Sequence, residues 1–134
     1  MSLNLCADQL ILALADRAQI AALTRFVKDP SLSAAAAEAR DAPVADSSAE
    51  AVLALRPDLI VANPGFAMGR IAALTEGQRG VVELPAAESH AEIVANIRTV
   101  AGAVGHPARG EALIRRMDAE LAAIPVLKGA RVAA

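Results

Sequence analysis

Cys6, Asp8, Glu50, His90 and His106 are the side chains best suited to chemistry, and their number and spacing already restrict it. Cys6 is the only cysteine, so neither an internal disulfide nor a thiolate-rich metal site can form. His90 and His106 are the only histidines, which excludes a three-histidine metal centre. Each lies beside a predicted helix start, where a solvated side chain is expected rather than a ligand. Cys6 near a helix start could be an activated thiolate, but a small buried thiol is the simpler expectation. Asp8 reads most simply as a helix cap. We therefore assign no catalytic residue, no metal site and no cofactor.

Phosphate binding is disfavoured on similar grounds. The turn Asn4-Leu5-Cys6-Ala7-Asp8 contains no glycine that would let backbone amides close on a pyrophosphate. Walker A spacing, a GxSxG elbow and a CxxC pair are absent as well.

The elements that must position these residues alternate between strand and helix. Ser2 to Leu5 reads as a strand entering a turn at Cys6-Ala7-Asp8, with Leu10, Ile11 and Leu14 then recurring at helical spacing. Ile20 to Thr24 is a candidate second strand. Pro30 and Ser31 could start a helix through the alanine run 34–37, to be ended by Pro43. Ser47 and Glu50 have capping-box spacing, so a helix should start there, stop at Pro57 and feed the apolar strand Leu59-Ile60-Val61-Ala62. Asn63-Pro64-Gly65 forces a turn. Met68 to Thr75 looks like a short helix and Val81 to Leu84 like a strand. Ser89 and Glu92 repeat the capping-box spacing before a helix ending at Gly105, and Pro107 opens another that Pro125 ends. Ala130 to Ala134 look like a strand beginning.

The predicted fold is α/β: a parallel sheet of about four strands with helices on both faces, a three-layer α/β/α sandwich, ending in a long helix. Ligands of such sheets bind beyond the carboxyl ends of the strands. That singles out the loops Asn4 to Gln9, Thr24 to Lys28 and Asn63 to Arg70. Phe66, Met68 and Arg70 follow the sharp turn at a strand's carboxyl end, where a loop can hold a ring and a cation toward a ligand.

Composition narrows the function classes further. With 134 residues, 55% of them hydrophobic, the chain has material for one folded core. Thirteen basic against fifteen acidic residues, with the basic ones scattered, make nucleic acid a poor partner. Phe26 and Phe66 are the only aromatic residues, so a stacking platform is not expected. No apolar run approaches the roughly 20 residues that span a bilayer, and the first residues do not read as a secretory signal.

Two stretches carry a likeness. Ser2-Leu3-Asn4-Leu5-Cys6-Ala7-Asp8-Gln9-Leu10, followed by Ser48-Ala49-Glu50-Ala51-Val52-Leu53-Ala54-Leu55-Arg56-Pro57-Asp58-Leu59-Ile60-Val61-Ala62, resembles the N-terminal lobe of the periplasmic substrate-binding proteins of iron-siderophore and cobalamin ABC importers. The resemblance implies a non-enzymatic protein that holds a siderophore or corrinoid and delivers it to permease subunits. It implies residues 1–106 as the lobe, 107–125 as an interlobe connector helix, and 126–134 as the start of a second lobe that is missing here. It implies that the parent is periplasmic and that its signal peptide is absent from this chain. Asn4, Cys6, Ala7 and Asp8, with Asn63, Pro64, Gly65 and Phe66, would line the ligand cleft; Arg70 joins them by its loop position. Glu50 occupies the place of a glutamate that docks against permease arginines. The lack of Trp and Tyr argues against a large aromatic-walled pocket for a corrinoid or catecholate on this lobe. Left uncovered, the connector helix could also drive a homodimer. The alternative reading is a self-contained flavodoxin-like regulatory or nucleotide-binding domain.

Overall fold

The structure, a computed structural model, describes residues 1–65 and 80–125. Among the described residues two regular strands, β1 (Leu59–Ala62) and β2 (Gly80–Glu83), pair in parallel with Ile60 opposite Val81. The helices of the described residues are α1 (Leu5–Leu14), α2 (Ala49–Leu55), α3 (His90–Ala103) and α4 (Pro107–Ala122).

The remaining parallel segments are reduced to single bridges, Ser2 with Val61 and Leu23 with Val44. Backbone hydrogen bonds nevertheless join them in one row. Val61 N donates to Met1 O and Leu3 N to Val61 O, Ser2 N donates to Ala22 O, and Leu23 N donates to Pro43 O. The spatial order is therefore Val44, Leu23, Ser2, β1, β2. Only the last two run long enough to be strands among the described residues, so the strands expected at Ser2 to Leu5 and Ile20 to Thr24 are corrected to bridges. Asn4 cuts the first one short: its Oδ1 accepts from Ala7 N at 2.9 Å, starting α1 at Leu5, ahead of the turn expected at Cys6 to Asp8. The second is squeezed between 3₁₀ turns at Arg17–Gln19 and Arg25–Lys28.

Helices cover both faces of this row. Alternate residues of β1 enter different cores, as the period of a strand requires. Val61 joins Ile11, Leu14, Ile97, Val100 and Ile114 from α1, α3 and α4, whereas Ile60 and Ala62 join Met1, Leu3 and Val52 of α2. α2 ends at Arg56, whose φ of +43° puts a non-glycine residue in the left-handed region just before the buried Pro57.

Two helix expectations are corrected. The segment after Pro30 forms turns instead of a helix, because Asp29 Oδ1 accepts from both Ser31 N and Ser31 Oγ and the alanine run has no large apolar side chain to pin it. At α2 the cap is Ser48, whose Oγ accepts from Ala51 N, so Ser47 and Glu50 form no capping box. The later expectations fare better. Ser89 caps α3 by accepting from Glu92 N, while Glu92 reaches back one residue further, to Glu88 N. Gly105 takes a φ of +82° after α3, and Pro107 stands in the first turn of α4. β2 begins one residue earlier than expected and leaves Leu84 buried just beyond it. The helix expected at Met68 to Thr75 and the strand expected at Ala130 to Ala134 lie outside the described residues.

Candidate functional site

The order of the row has a consequence for ligand binding. Ser2, first in the chain, is central; the second and third segments lie on one side of it and β1 and β2 on the other. The winding direction reverses between Ser2 and β1, and a crevice opens beyond the carboxyl ends of strands at such a switch point. The residues that follow those two segments are Asn4 and Asn63-Pro64-Gly65.

This edge is organised by side chains that bond to backbone. Asp8, fully buried, accepts from Thr24 N at 2.9 Å and from Thr24 Oγ1 at 2.5 Å, which ties the Leu23 segment to the first turn of α1. Asp8 is thus an internal anchor and not the helix cap expected of it; the cap is Asn4. Ser47 Oγ donates to Leu3 O at 3.1 Å and draws the segment after Val44 to the same edge. Gly65 N donates to Glu83 Oε1 at 3.3 Å, linking the ends of β1 and β2.

The predicted cleft residues therefore divide into groups. Ala7 and Asp8 are buried beneath the edge, and Asn4 is half-buried. Asn4 Nδ2 is a buried donor with no hydrogen-bond partner among the described residues. Cys6 is exposed, against the expectation of a buried thiol, as are Asn63, Pro64 and Gly65. Phe66 and Arg70 lie outside the described residues.

Beside these stands a pocket of 380 Å³ that individual residue assignments missed, lined by Thr24, Arg25, Phe26, Asp46, Ser47 and Ser48 together with Ala45. The guanidinium of Arg25 lies 5.8 Å from the centre of the half-exposed Phe26 ring, and its Nη2 is 3.8 Å from Asp46 Oδ1. One sequence signal pointed this way: the Thr24 to Lys28 loop at a carboxyl end holds one of only two aromatic residues. A larger groove of 740 Å³ lies between α1, α4 and residues 34–38.

Glu50 sits in the first turn of α2, exposed and without a hydrogen bond or ion pair among the described residues. No group of three or more His, Cys, Asp or Glu side chains that could hold a metal ion occurs among the described residues. No helix there is long and apolar enough to cross a membrane.

In comparison with known proteins, a family model described as periplasmic binding protein matches residues 1–125. A search of curated proteins found no match.

Proposed function

The chain belongs to the periplasmic binding protein family, and from that premise we propose that it is the ligand-binding N-terminal lobe of the substrate-binding component of an ABC importer. The ligand would be a chelated metal, such as a ferric siderophore or cobalamin, held at the carboxyl edge and passed to permease subunits. Members of this family bind without turnover and work in the periplasm, the compartment proposed for the parent protein. In this reading residues 1–106 form the lobe and 107–125 the connector.

The observation that carries the proposal is the reversal of winding between Ser2 and β1, with Asn4 and Asn63 to Gly65 beside it. The neighbouring pocket adds polar donors and a ring at the same edge. Glu50 favours the permease contact, because its exposed carboxylate has no capping-box role and no partner among the described residues, which suits it to meet a partner's cation. Leu121 and Ile124 near the end of α4, 50% and 61% exposed, favour burial against another lobe or a second copy of the chain.

Calorimetry tests the function directly. Ferric siderophores or cobalamin should bind saturably, and weakly where a single lobe supplies the contacts. ATP should not bind. Binding of ATP with no response to any metal chelate would overturn the proposal and favour a nucleotide-binding domain.

A further inference from the structure

Resting on the reading above, we propose that Arg25 is an anion-binding residue of this edge, and that its partner in the complex is a carboxylate of the ligand, which displaces Asp46.

The geometry of the pair is that of a placeholder. At 3.8 Å, Arg25 Nη2 and Asp46 Oδ1 are beyond hydrogen-bond distance, and both side chains are about three-quarters exposed, 75% and 76%. Such a pair contributes little and exchanges at little cost. The guanidinium itself has a platform in the Phe26 ring and five N–H donors arranged as a fork that matches a carboxylate. Asp46 already shows which group suits the place.

Counting protons in the pocket leads to the same class of ligand. Thr24 Oγ1 donates to Asp8 and Ser47 Oγ donates to Leu3 O, so those two protons are committed. Ser48 Oγ accepts from Ala51 N, while its own proton has no acceptor among the described residues. The donors left over, from Arg25 and Ser48, call for a group that only accepts, as an ionised carboxylate does. With one phenyl ring in the pocket and no Trp or Tyr in the chain, charge must carry the recognition instead of an aromatic wall.

The sign of one substitution separates this role from a merely structural one. If Arg25 and Asp46 only stabilised each other, removing either would act in the same direction. If Asp46 competes with the ligand, Asp46→Asn tightens binding while Arg25→Gln weakens it. Calorimetry on the 134-residue chain would compare ferric citrate with a ferric tris-catecholate, anionic but without a free carboxylate, and a neutral ferric tris-hydroxamate. We expect ferric citrate to bind most tightly. Arg25→Gln should weaken it roughly tenfold, Arg25→Lys should restore part of that, and Asp46→Asn should tighten it about threefold. Binding of the catecholate or hydroxamate with no dependence on Arg25 would overturn the inference and leave the transport reading standing. A shift of ferric citrate binding in one direction by both substitutions would overturn it equally. Failure of every metal chelate to bind would remove both.

Discussion

The interface of α3 with α4 and the carboxyl edge of the parallel row are built in opposite ways. Between the helices, apolar close contact does the work: Gly110 lets α4 approach until a Cβ placed there would lie 2.6 Å from the Cβ of Ala101, and Ile97, Val100 and Ile114 fill the space around it. Each outward charge of this face that is held tightly has a close partner. Arg98 bonds Glu111 through two nitrogens at 2.6 and 3.1 Å, His90 lies 2.6 Å from Asp118, and Arg109 bonds both Asp16 and Leu14 O. At the carboxyl edge the anchors are single polar side chains directed at backbone, and of the charges there Arg25 is loosely paired and Glu50 has no partner among the described residues. Arg116 and Glu120 of α4 stand 3.8 Å apart just as Arg25 and Asp46 do, but the helical face has close pairs beside them, and the carboxyl edge has none among the described residues.

The largest effect should come from breaking the helix interface. Gly110→Val brings a branched side chain against Ala101, and the two helices must separate. Overpacking of this kind costs about 3 kcal/mol. Gly110→Ala should cost less, because the same clash is offset by about 1 kcal/mol of helix propensity. Urea unfolding of both variants checks the order; equal stability of Gly110→Val and the parent would show that the contact is not tight.

Next in size is the buried anchor of the edge. Asp8→Ala leaves Thr24 N, in a residue only 3% exposed, without its acceptor. That loss should be about 2 kcal/mol. Unlike the glycine substitutions, it should also loosen the Thr24 loop, seen as faster amide exchange at Arg25 and Phe26 with α4 unaffected. Ser47→Ala removes a less buried bond to Leu3 O and should cost about 1 kcal/mol or less. A larger loss from Ser47→Ala than from Asp8→Ala would reverse the ranking of the two anchors.

How far the sequence reveals this architecture depends on whether local or distant groups decide each feature. β1, the Asn63-Pro64-Gly65 turn, the Ser89 cap, and Gly105 with Pro107 were legible because each follows from a residue and its immediate neighbours. Asp8 and Ser47 were misread because their partners, Thr24 and Leu3, are 16 and 44 residues away. Capping spacing alone could not choose between Ser47 and Ser48 while Leu3 O competed for the first hydroxyl. The alanine run satisfied helix propensity but had no apolar face to bury, and turns resulted. The loops of the candidate site were legible from strand polarity. The pairing of Arg25 with Phe26 and Asp46 was not, since it needs the Leu23 and Val44 segments side by side.

The smallest expected effect tests the saturated charges of the helical face by pH. The Arg109 guanidinium, bonded to Asp16, holds that carboxyl below its ordinary range, with His106 adding to the pull. Arg98 does the same to Glu111. A carboxylate depressed in the folded state binds fewer protons there than in the unfolded chain. Its contribution is therefore fully present above the ordinary carboxylate range, about pH 4 to 5, and fades as pH falls through that range to the lower folded values. Both carboxylates are solvent-exposed, so the contribution is small and salt should weaken it further. The double substitution Asp16→Asn with Glu111→Gln should thus lower the urea midpoint slightly at pH 7, make no difference at pH 2, and flatten the acid limb between them. Asp46→Asn should leave that limb unchanged, because a pair 3.8 Å apart and about three-quarters exposed contributes little to stability. An acid limb that responds to Asp46→Asn as strongly as to the double substitution would erase the distinction between the two faces.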